Sequence, residues 1–517
     1  MILYNLELCV LFFGNSFITL IMVESLYNIK DLEGKAFVYG LGIALTVIFS
    51  VLPIRPAELG KIHMSVIIAG ITIALGIVIA FPLIDAGPYS PSGGYVTLIM
   101  QHLEKVRLKK MMAEYSADEG EQRSAVSSDK LPPVKKPDTT VSTNSGIKKE
   151  TTLSENTPDE DEEFDISKLP FEERIPYLYP VGKEKKHETI GNSVNIILIF
   201  MEGLSENIVD DPRGIMPNVA GIRSNSISFS NYYNHTFATY RGIEGQLYSG
   251  NSLNDLDTNS QVSLMDVLKV NGYYTSFINT EPNNPEFTEY LCAMPFDEVI
   301  SDASLCAGAV DSVSDKTAYE KLFNTATAYN NEGKKFFLSM YSMGTHASFN
   351  SFDEVFGDGS SPFLNKFYNA DCQFGAFFAN YLNSPLASNT MVIFTTDHAT
   401  YCDEDFVNNC PGVGRVCNGA DRIPFFIYYQ GRKGSVNANG RNSLDMAPTV
   451  LDLLGLEKPD NFLGESLYSP IYEKTILDTF FWNPDCIMNS GGGSIRPANA
   501  DERKYVSKKM AAYFAIK

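Results

Sequence analysis

The hydrophobic and polar positions divide the chain into stretches of different character. Residues 1–86 are strongly apolar, residues 113–168 are polar and low in complexity, and residues 190–482 alternate short apolar runs with amphipathic segments. A chain of 517 residues with this contrast suits several units rather than one domain. The pattern predicts an apolar anchor, a linker and a folded domain, with residues 483–517 as a C-terminal extension.

The apolar stretch contains about three candidate membrane helices. Residues 64–84 are 21 positions without a charge, enough for a helix to cross about 30 Å of hydrocarbon. Residues 36–54 are a second candidate and residues 8–23 a shorter third. Buried core helices or a signal peptide are the other interpretations, but the N-terminus lacks a basic region and a cleavage signal. Because the loop between the second and third spans is basic, it favours the cytoplasm, and everything after the third span falls outside.

This orientation predicts a multi-pass membrane protein with its folded domain on the side away from the cytoplasm. Residues 87–112 follow the anchor, and residues 95–112 read as an amphipathic helix whose Lys and Arg suit anionic lipid head groups. The next stretch, rich in Ser, Thr, Pro, Lys and Glu, buries too little apolar surface to offset its ordering entropy. We therefore predict a disordered linker and lead-in over residues 113–189.

Within the folded domain, the apolar runs are rich in Val, Ile, Phe and Tyr, as buried parallel strands are. The predicted strands are residues 194–200, 274–278, 336–341, 391–395 and 424–429. Helical stretches such as residues 264–270 and 364–382 lie between them. This alternation predicts an α/β/α domain with a mostly parallel central sheet, which binds its ligands at the carboxyl ends of the strands.

Polar residues with metal-binding chemistry follow two of these strands. Glu202 comes after the first strand, and Asp397 and His398 come after the fourth. Two carboxylates and an imidazole suit a divalent metal with mixed oxygen and nitrogen ligands. A glycine-flanked loop adds Thr239, two residues before Arg241. A threonine hydroxyl is a poor nucleophile unless a base or a metal activates it, so these side chains together predict a metal-activated nucleophile.

The net charge limits the possible partners of the protein, and the cysteines indicate its compartment. The formal charge of −21 argues against a nucleic-acid partner, because phosphate backbones are bound by clustered Lys and Arg. All cysteines except Cys9 lie in the C-terminal half of the chain. Such a group suits disulfides in an oxidising compartment. A zinc cluster is the less favoured interpretation, because no pair has C-x-x-C spacing. The predicted bridges are Cys292–Cys306 and one among Cys402, Cys410 and Cys417.

Six motifs, in order, resemble the sulfatase/alkaline phosphatase superfamily and, within it, the lipoteichoic acid synthase-like and phosphoethanolamine transferase branches. They are NIILIFMEGLSE, MPNVAGIRSNSISFSNYYNHTFATYRGIEGQLYSG, FFLSMYSMGTHASF, NTMVIFTTDHATY, RIPFFIYYQG and SLDMAPTVLDLLGL with FLGESL. The resemblance covers residues 192–470. An apolar multi-span N-terminus followed by a linker is also similar to that branch. This resemblance implies a bacterial inner-membrane location, with the catalytic domain on the periplasmic or extracellular side.

The resemblance implies a role for each candidate residue. It implies one divalent metal, bound by Glu202, Thr239, Asp397 and His398. The metal is Mn²⁺ or Zn²⁺, with Mg²⁺ as an alternative. Thr239 matches the nucleophile that carries the transferred group. His346 matches a histidine near the substrate phosphate, which acts as general acid and base or binds the phosphate. Arg241 either contacts the phosphate or forms an ion pair at the surface.

The implied function is a transferase that moves a phosphoglycerol head group from a phospholipid onto a cell-surface glycan or glycolipid through phosphothreonine. The stretch Thr239-Tyr-Arg241 lacks the Cys or Ser from which sulfatases make formylglycine, which argues against sulfate-ester hydrolysis. Residues 281–287 lack the Trp and Arg of glycerol-phosphate polymerases, so phosphoethanolamine transfer from phosphatidylethanolamine, rather than phosphatidylglycerol, is the alternative. A non-catalytic lipid-binding or regulatory protein on the same fold is the alternative from another class.

Overall fold

The computed structural model describes residues 170, 174, 185–251, 261–306, 312–346, 353–416, 419–470, 479–482, 485–489 and 494–516. The predicted membrane spans, the amphipathic segment and most of the predicted linker lie outside these residues. In the ranges that are described, no helix combines the length and the apolar character that a bilayer span requires.

The described strands of the folded domain form one eight-stranded sheet. They are β1 (Asn195–Met201), β2 (Ile227–Ser230), β3 (Tyr274–Asn279), β4 (Glu298–Ser301), β5 (Phe336–Ser342), β6 (Thr390–Thr396), β7 (Phe425–Tyr428) and β8 (Gly434–Asn437). Their spatial order is β4-β3-β5-β1-β6-β7-β2-β8. Neighbouring strands are parallel except around β7, which is antiparallel to both β6 and β2. The mostly parallel sheet is as predicted.

Helices cover both faces of this sheet. They are α1 (Glu206–Val209), α2 (Pro217–Ser224), α3 (Thr239–Tyr248), α4 (Leu264–Val270), α5 (Pro285–Ala293), α6 (Asp315–Asn331), α7 (Pro362–Leu382), α8 (Glu404–Asn409) and α9 (Met446–Leu454). Several begin where the sequence supplies a cap. The Ser361 side chain accepts a hydrogen bond from the Leu364 amide, and Pro362 occupies the first turn of α7, where its missing N–H costs nothing.

The side chains of β1 alternate between two apolar cores. Ile196 and Leu198 pack with α3, α4, α5 and α9 on one side, which we call the α3 face. Ile197 and Ile199 pack with α1, α2, α6, α7 and α8 on the other side, the α7 face. Each large apolar side chain buried in this way contributes about 1.5–3 kcal/mol relative to exposure. Burial on both faces explains why β1 reads as a continuous apolar run rather than an alternating one.

The five predicted strands are present, and three others are not evident from the sequence. Strands β2, β4 and β8 have four residues each and are partly exposed. Since β4 and β8 are the edge strands, they need no apolar residues on both sides and leave no strong pattern. The direction of β7 is also not evident from the sequence, because a strand buried on both faces looks the same in either orientation.

Segments on either side of the domain pack against it. At the end of the predicted lead-in, the Lys185 amide donates to the Tyr468 carbonyl at 2.8 Å. After the domain, β9 (Thr479–Trp482), β10 (Asp485–Asn489) and β11 (Ile495–Pro497) form a second sheet, followed by α10 (Ala500–Ile516). Asn489 donates to the Asn439 carbonyl at 2.7 Å. Because β9 pairs with β10, the predicted boundary at residue 482 falls inside a hairpin.

The predicted Cys292–Cys306 disulfide is wrong. Cys292 is an exposed free thiol on α5. Helix α5 packs on the α3 face, whereas Cys306 packs against the core of the α7 face, so the sheet separates the two side chains. Cys402 and Cys410 are not bonded to each other either, and the third member of that predicted group, Cys417, lies outside the described residues.

Candidate active site

The sheet brings the candidate metal ligands together at its carboxyl edge. Strands β1 and β6 are parallel neighbours, and Met201 lies opposite Thr396 in their register. The next residue on each strand is a carboxylate, Glu202 on one and Asp397 on the other, and His398 follows. Parallel pairing therefore places the two acids side by side, as expected for the ligand-binding edge of such a sheet.

Glu202, Asp397 and His398 form a compact buried group. Each offers a ligand atom, and these atoms all lie within 4.8 Å of one another. The His398 Nε2 atom is 3.4 Å from Glu202 Oε1 and 3.5 Å from Asp397 Oδ2. The His398 Nδ1 atom donates to the Ala399 carbonyl at 2.8 Å. That bond fixes the ring and leaves Nε2 as the nitrogen that faces the two acids, an arrangement found in metal-binding histidines.

The charges of this group require a cation or protons. Burial by itself raises the pKa of Glu202, but His398, His346 and Asp397 together outweigh burial and hold that pKa well below its usual range. Burial and the Glu202 charge raise the pKa of Asp397 to about 8. Burial opposes protonation of His398, yet the Asp397 and Glu202 carboxylates raise its pKa to about 10. Without a metal, protons must offset the two buried carboxylates.

Two atoms of the group are well suited to hold a metal. Asp397 Oδ1 accepts hydrogen bonds from the Gly203 and His398 amides at 2.9 and 2.8 Å. In contrast, Asp397 Oδ2 and His398 Nε2 are buried and have no hydrogen-bond partner among the described residues. Buried polar atoms are normally paired, so these two atoms point to a bound cation. The donor set fits Mn²⁺, Zn²⁺ and Mg²⁺ alike.

Thr239 approaches this group from the α3 face. It is the first residue of α3, and its hydroxyl Oγ1 donates to Glu202 Oε2 at 3.2 Å. The preceding Ala238 has φ 95° and ψ 141°, a conformation that is strained for a residue with a side chain. The turn therefore holds the hydroxyl against the metal-ligand group, although Thr239 itself is only half-buried. Strain of this kind is common at functional sites.

A glycine one turn later allows the helix to come this close. A Cβ on Gly242 would lie 2.2 Å from the Asp397 carbonyl oxygen. We expect Gly242→Ala to lower the free energy of unfolding by about 1–3 kcal/mol, because the helix or the Asp397 backbone must shift. Urea unfolding measures this change. The matched control is Gly221→Ala inside α2, where a Cβ meets nothing within 4 Å and alanine is expected to stabilise by about 0.5–1 kcal/mol. Equal effects at the two positions would contradict the packing argument.

The two remaining candidate residues lie at the same edge. His346 follows β5, the other parallel neighbour of β1, and its charge acts on Glu202. Its amide donates to the Met343 carbonyl at 2.9 Å. Arg241 lies in the first turn of α3, two residues after Thr239, and is half-buried. All of the candidate site residues are therefore grouped at the carboxyl edge of β5, β1 and β6, and their roles stay predictions.

The sequence did not identify several residues that support Glu202 and its loop. The Tyr341 hydroxyl donates to Glu202 Oε2, and the Thr345 hydroxyl donates to the Glu202 carbonyl. Ser205 and Thr400 exchange two hydrogen bonds of 3.0 and 3.1 Å, which join the loops after β1 and β6. Tyrosine, serine and threonine are common in strands and loops, so only their positions next to Glu202 and His398 hinted at such a role.

We expect Tyr341→Phe to weaken metal binding about 10- to 100-fold, because the hydroxyl that orients Glu202 is lost while the ring packing against Phe287 remains. Titration of the metal-free protein with Mn²⁺ measures the affinity. Tyr381→Phe is the control, since the Tyr381 hydroxyl donates to the Thr390 carbonyl at the opposite end of β6. A Tyr341→Phe protein that binds Mn²⁺ as tightly as the Tyr381→Phe protein would refute this role for Tyr341.

Comparisons with known proteins agree with this architecture. The sulfatase family model matches residues 194–456, just over half of the chain. A 2,3-bisphosphoglycerate-independent phosphoglycerate mutase from Wolbachia pipientis wMel is 40% identical over 86 residues, which are 16% of this chain and 16% of the mutase. The chain thus matches well under two thirds of that relative's length.

Among solved structures, the lipoteichoic acid synthase LtaP from Listeria monocytogenes aligns with a TM-score of 0.53 and 18% identity, over 66% of this chain and 96% of LtaP. A protein of the alkaline phosphatase superfamily from Vibrio parahaemolyticus aligns with a TM-score of 0.50 and 21% identity, over 68% of this chain and 92% of that protein. At such identities the likeness concerns the fold.

Proposed function

Because the chain belongs to the sulfatase family, we propose that it is a metal-dependent transferase that moves a phosphate-linked lipid head group by way of Thr239. The head group that we favour is phosphoglycerol, taken from phosphatidylglycerol and passed to a hydroxyl of a surface glycan or glycolipid. The single observation that carries this proposal is the contact between the Thr239 hydroxyl and Glu202, 3.2 Å apart, within a buried set of metal ligands.

In the first half-reaction, Thr239 Oγ1 loses its proton to solvent and attacks the phosphorus of the donor phosphodiester. A bond forms between Oγ1 and phosphorus, and the bond from phosphorus to the diacylglycerol oxygen breaks. The hydrogen bond to Glu202 orients Oγ1, and the helix turn at Ala238 holds it at the edge of the sheet. His346 gives a proton to the departing oxygen as general acid. The product is diacylglycerol and a phosphothreonine ester that carries the head group.

In the second half-reaction, an acceptor hydroxyl attacks the same phosphorus. His346, now neutral, takes the hydroxyl proton. The bond between phosphorus and Thr239 Oγ1 breaks, and Oγ1 takes a proton back from solvent. Arg241, two residues after Thr239, supplies a planar cation that suits the non-bridging phosphate oxygens. A divalent metal held by Glu202, Asp397 and His398 would lower the pKa of the Thr239 hydroxyl and offset phosphate charge.

A lipid donor also accounts for the apolar N-terminal segments. An anchor of membrane helices over residues 1–86 would confine the folded domain to the surface in which its donor resides, on the periplasmic or extracellular side. A cell-surface acceptor is reached from that side without crossing the bilayer. The location, the donor and the acceptor are all parts of the proposal.

The proposal is tested by following the head group. Membranes that contain the full chain are incubated with phosphatidylglycerol labelled in its glycerol head group, and the label is traced to lipid, protein and glycan fractions. Metal-dependent transfer to a glycan or glycolipid is expected. Release of free head group as the only product would indicate a hydrolase, and unchanged lipid would favour the non-catalytic lipid-binding alternative.

Phosphoethanolamine is the second candidate head group, and one observation favours it. Glu281 lies two residues beyond the end of β3, next to Thr280, whose hydroxyl donates to the Tyr341 carbonyl at 2.8 Å. A carboxylate at this end of the site attracts the positive charge of an ammonium group, whereas the uncharged glycerol group gains no such attraction. The same experiment with phosphatidylethanolamine labelled in ethanolamine compares the two donors directly.

A further inference from the structure

One buried cation near the site has no part in the steps above. Lys366 lies on α7 and is only 8% exposed. Its ammonium lies over the rings of Phe363 and Phe367, 5.1 and 5.3 Å from their centroids. Among the residues that the structure describes, none forms a hydrogen bond or an ion pair with this ammonium. A buried charge without such partners is costly to maintain.

The neighbouring buried cation is a useful contrast. Arg415 donates to the Thr400 carbonyl and to the Ser205 hydroxyl, and it pairs with Asp421 at 3.0 Å. These contacts make Arg415 a structural residue that holds the loops after β1 and β6. Within the described part of the chain, the Lys366 ammonium contacts the Phe363 and Phe367 rings and forms no hydrogen bond or ion pair. This difference between Arg415 and Lys366 indicates that the Lys366 ammonium is available to bind a ligand.

The position of Lys366 indicates which ligand. Burial lowers its pKa, and the carboxylates of Asp403, Glu202 and Asp405 act in the opposite direction, in that order. Phe363, one of the two rings under this ammonium, contacts Phe406, and Arg415 lies over the Phe406 ring and donates to the Thr400 carbonyl. A short chain of side-chain contacts therefore joins Lys366 to the loop that carries Asp397 and His398. Lys366 lies on α7, which packs against one face of the sheet, whereas Thr239 lies on α3, which packs against the other face and reaches Glu202 from there. Lys366 and the nucleophile thus approach the edge of the sheet from opposite sides.

We propose that Lys366 is a phosphate-binding residue of this site, which contacts the transferred phosphate from the side opposite Thr239. In an in-line displacement, the attacking and leaving oxygens lie on opposite sides of phosphorus. A cation on the α7 face therefore offsets charge on the oxygen that leaves in the first half-reaction and enters in the second. This inference deepens the proposed function and rests on it for the identity of the phosphate.

The charge balance of the site agrees with this assignment. Glu202 and Asp397 together carry the two negative charges that one divalent cation neutralises. A phosphodiester brings one further negative charge, which is spread over two non-bridging oxygens. Arg241 on the α3 face and Lys366 on the α7 face supply cations from both sides of the sheet. An ammonium is a compact donor that binds phosphate as a point charge.

Binding of inorganic phosphate tests the assignment without turnover. The full chain, solubilised in detergent and loaded with Mn²⁺, is titrated with inorganic phosphate by calorimetry. Lys366→Met keeps the length of the side chain and removes the charge, and we expect it to raise the phosphate Kd at least about tenfold. The bound Mn²⁺ is expected to be unchanged. Lys366→Arg keeps the charge and is expected to retain most of the affinity.

Lys335→Met is the matched control. Lys335 is another partly buried lysine, which donates to the Asn271 carbonyl and lies over the Tyr273 ring near the start of β5, at the far end of the sheet. It is expected to leave phosphate binding unchanged. If Lys366→Met binds phosphate like the parent, or if it lowers stability without changing the phosphate Kd, the assignment is overturned. If phosphate binding depends on Lys366 but no head group is transferred, the proposed function fails and this inference stands.

Discussion

Thr239→Val is expected to lower the rate of head-group transfer by at least about a thousandfold. Valine keeps the branched shape of threonine at the start of α3 but has no hydroxyl to attack phosphorus. The loss should appear in kcat rather than in KM, because the metal-ligand group Glu202, Asp397 and His398 and the proposed phosphate-binding residues remain. Transfer from labelled phosphatidylglycerol, measured at several donor concentrations, separates the two constants.

Two further variants make this result specific to the hydroxyl. Thr239→Ser retains the nucleophile and is expected to retain measurable activity. Tyr240→Phe is the positional control, because the ring of Tyr240 stacks on Tyr290 with centroids 4.6 Å apart and phenylalanine keeps that stack. A Thr239→Val protein with the activity of the Tyr240→Phe protein would show that another group is the nucleophile.

Asp397→Asn is expected to abolish metal binding and with it all transfer. An asparagine oxygen can still accept from the Gly203 and His398 amides, which now bond to Asp397 Oδ1. The amide nitrogen then replaces the unpaired Oδ2, so one ligand and one negative charge are lost without disturbing the loop. In the parent, Mn²⁺ at a hundred times its Kd stabilises the fold by about 2.7 kcal/mol. The variant is expected to show almost none of this stabilisation in a thermal-unfolding titration.

The stabilisation by metal is also expected to depend on pH. Without a cation, the folded-state pKa values of Asp397 and His398, about 8 and about 10, lie above their ordinary values. The contribution of the protonated His398 is therefore complete below its unfolded pKa of about 6.5 and is lost as the pH rises towards its folded pKa. Metal must displace these protons, so its effect on the unfolding temperature should be larger at pH 8 than at pH 6. An effect that is the same at both pH values would contradict the ligand assignment.

The sequence was sufficient for the long central strands of the sheet and for its ligand-binding edge. The apolar runs of β1 and β6 are long and buried on both faces, and each ends directly before its acidic residue. The grouping of Glu202, Asp397 and His398 follows from parallel pairing alone. The shorter strands β2, β4 and β8 were missed because half-exposed strands of four residues carry little apolar pattern.

Long-range side-chain contacts were beyond sequence reasoning. Lys366 lies 164 positions after Glu202 (366 − 202), and nothing in its local sequence separates it from a solvated lysine on the face of a helix. Its significance comes from the packing of α7 against the sheet. The disulfide prediction failed for the same reason, since spacing along the chain does not reveal that Cys292 and Cys306 belong to opposite faces.

The most direct test of the central claim is mass spectrometry of the full chain after incubation with phosphatidylglycerol and Mn²⁺ in the absence of acceptor. We expect a phosphoglycerol adduct on the peptide that contains Thr239, formed only with metal and absent from Thr239→Val. A phosphoethanolamine adduct formed from phosphatidylethanolamine instead would keep the nucleophile and change the head group. Donor consumption with no adduct on Thr239, or with an adduct on another residue, would contradict the account.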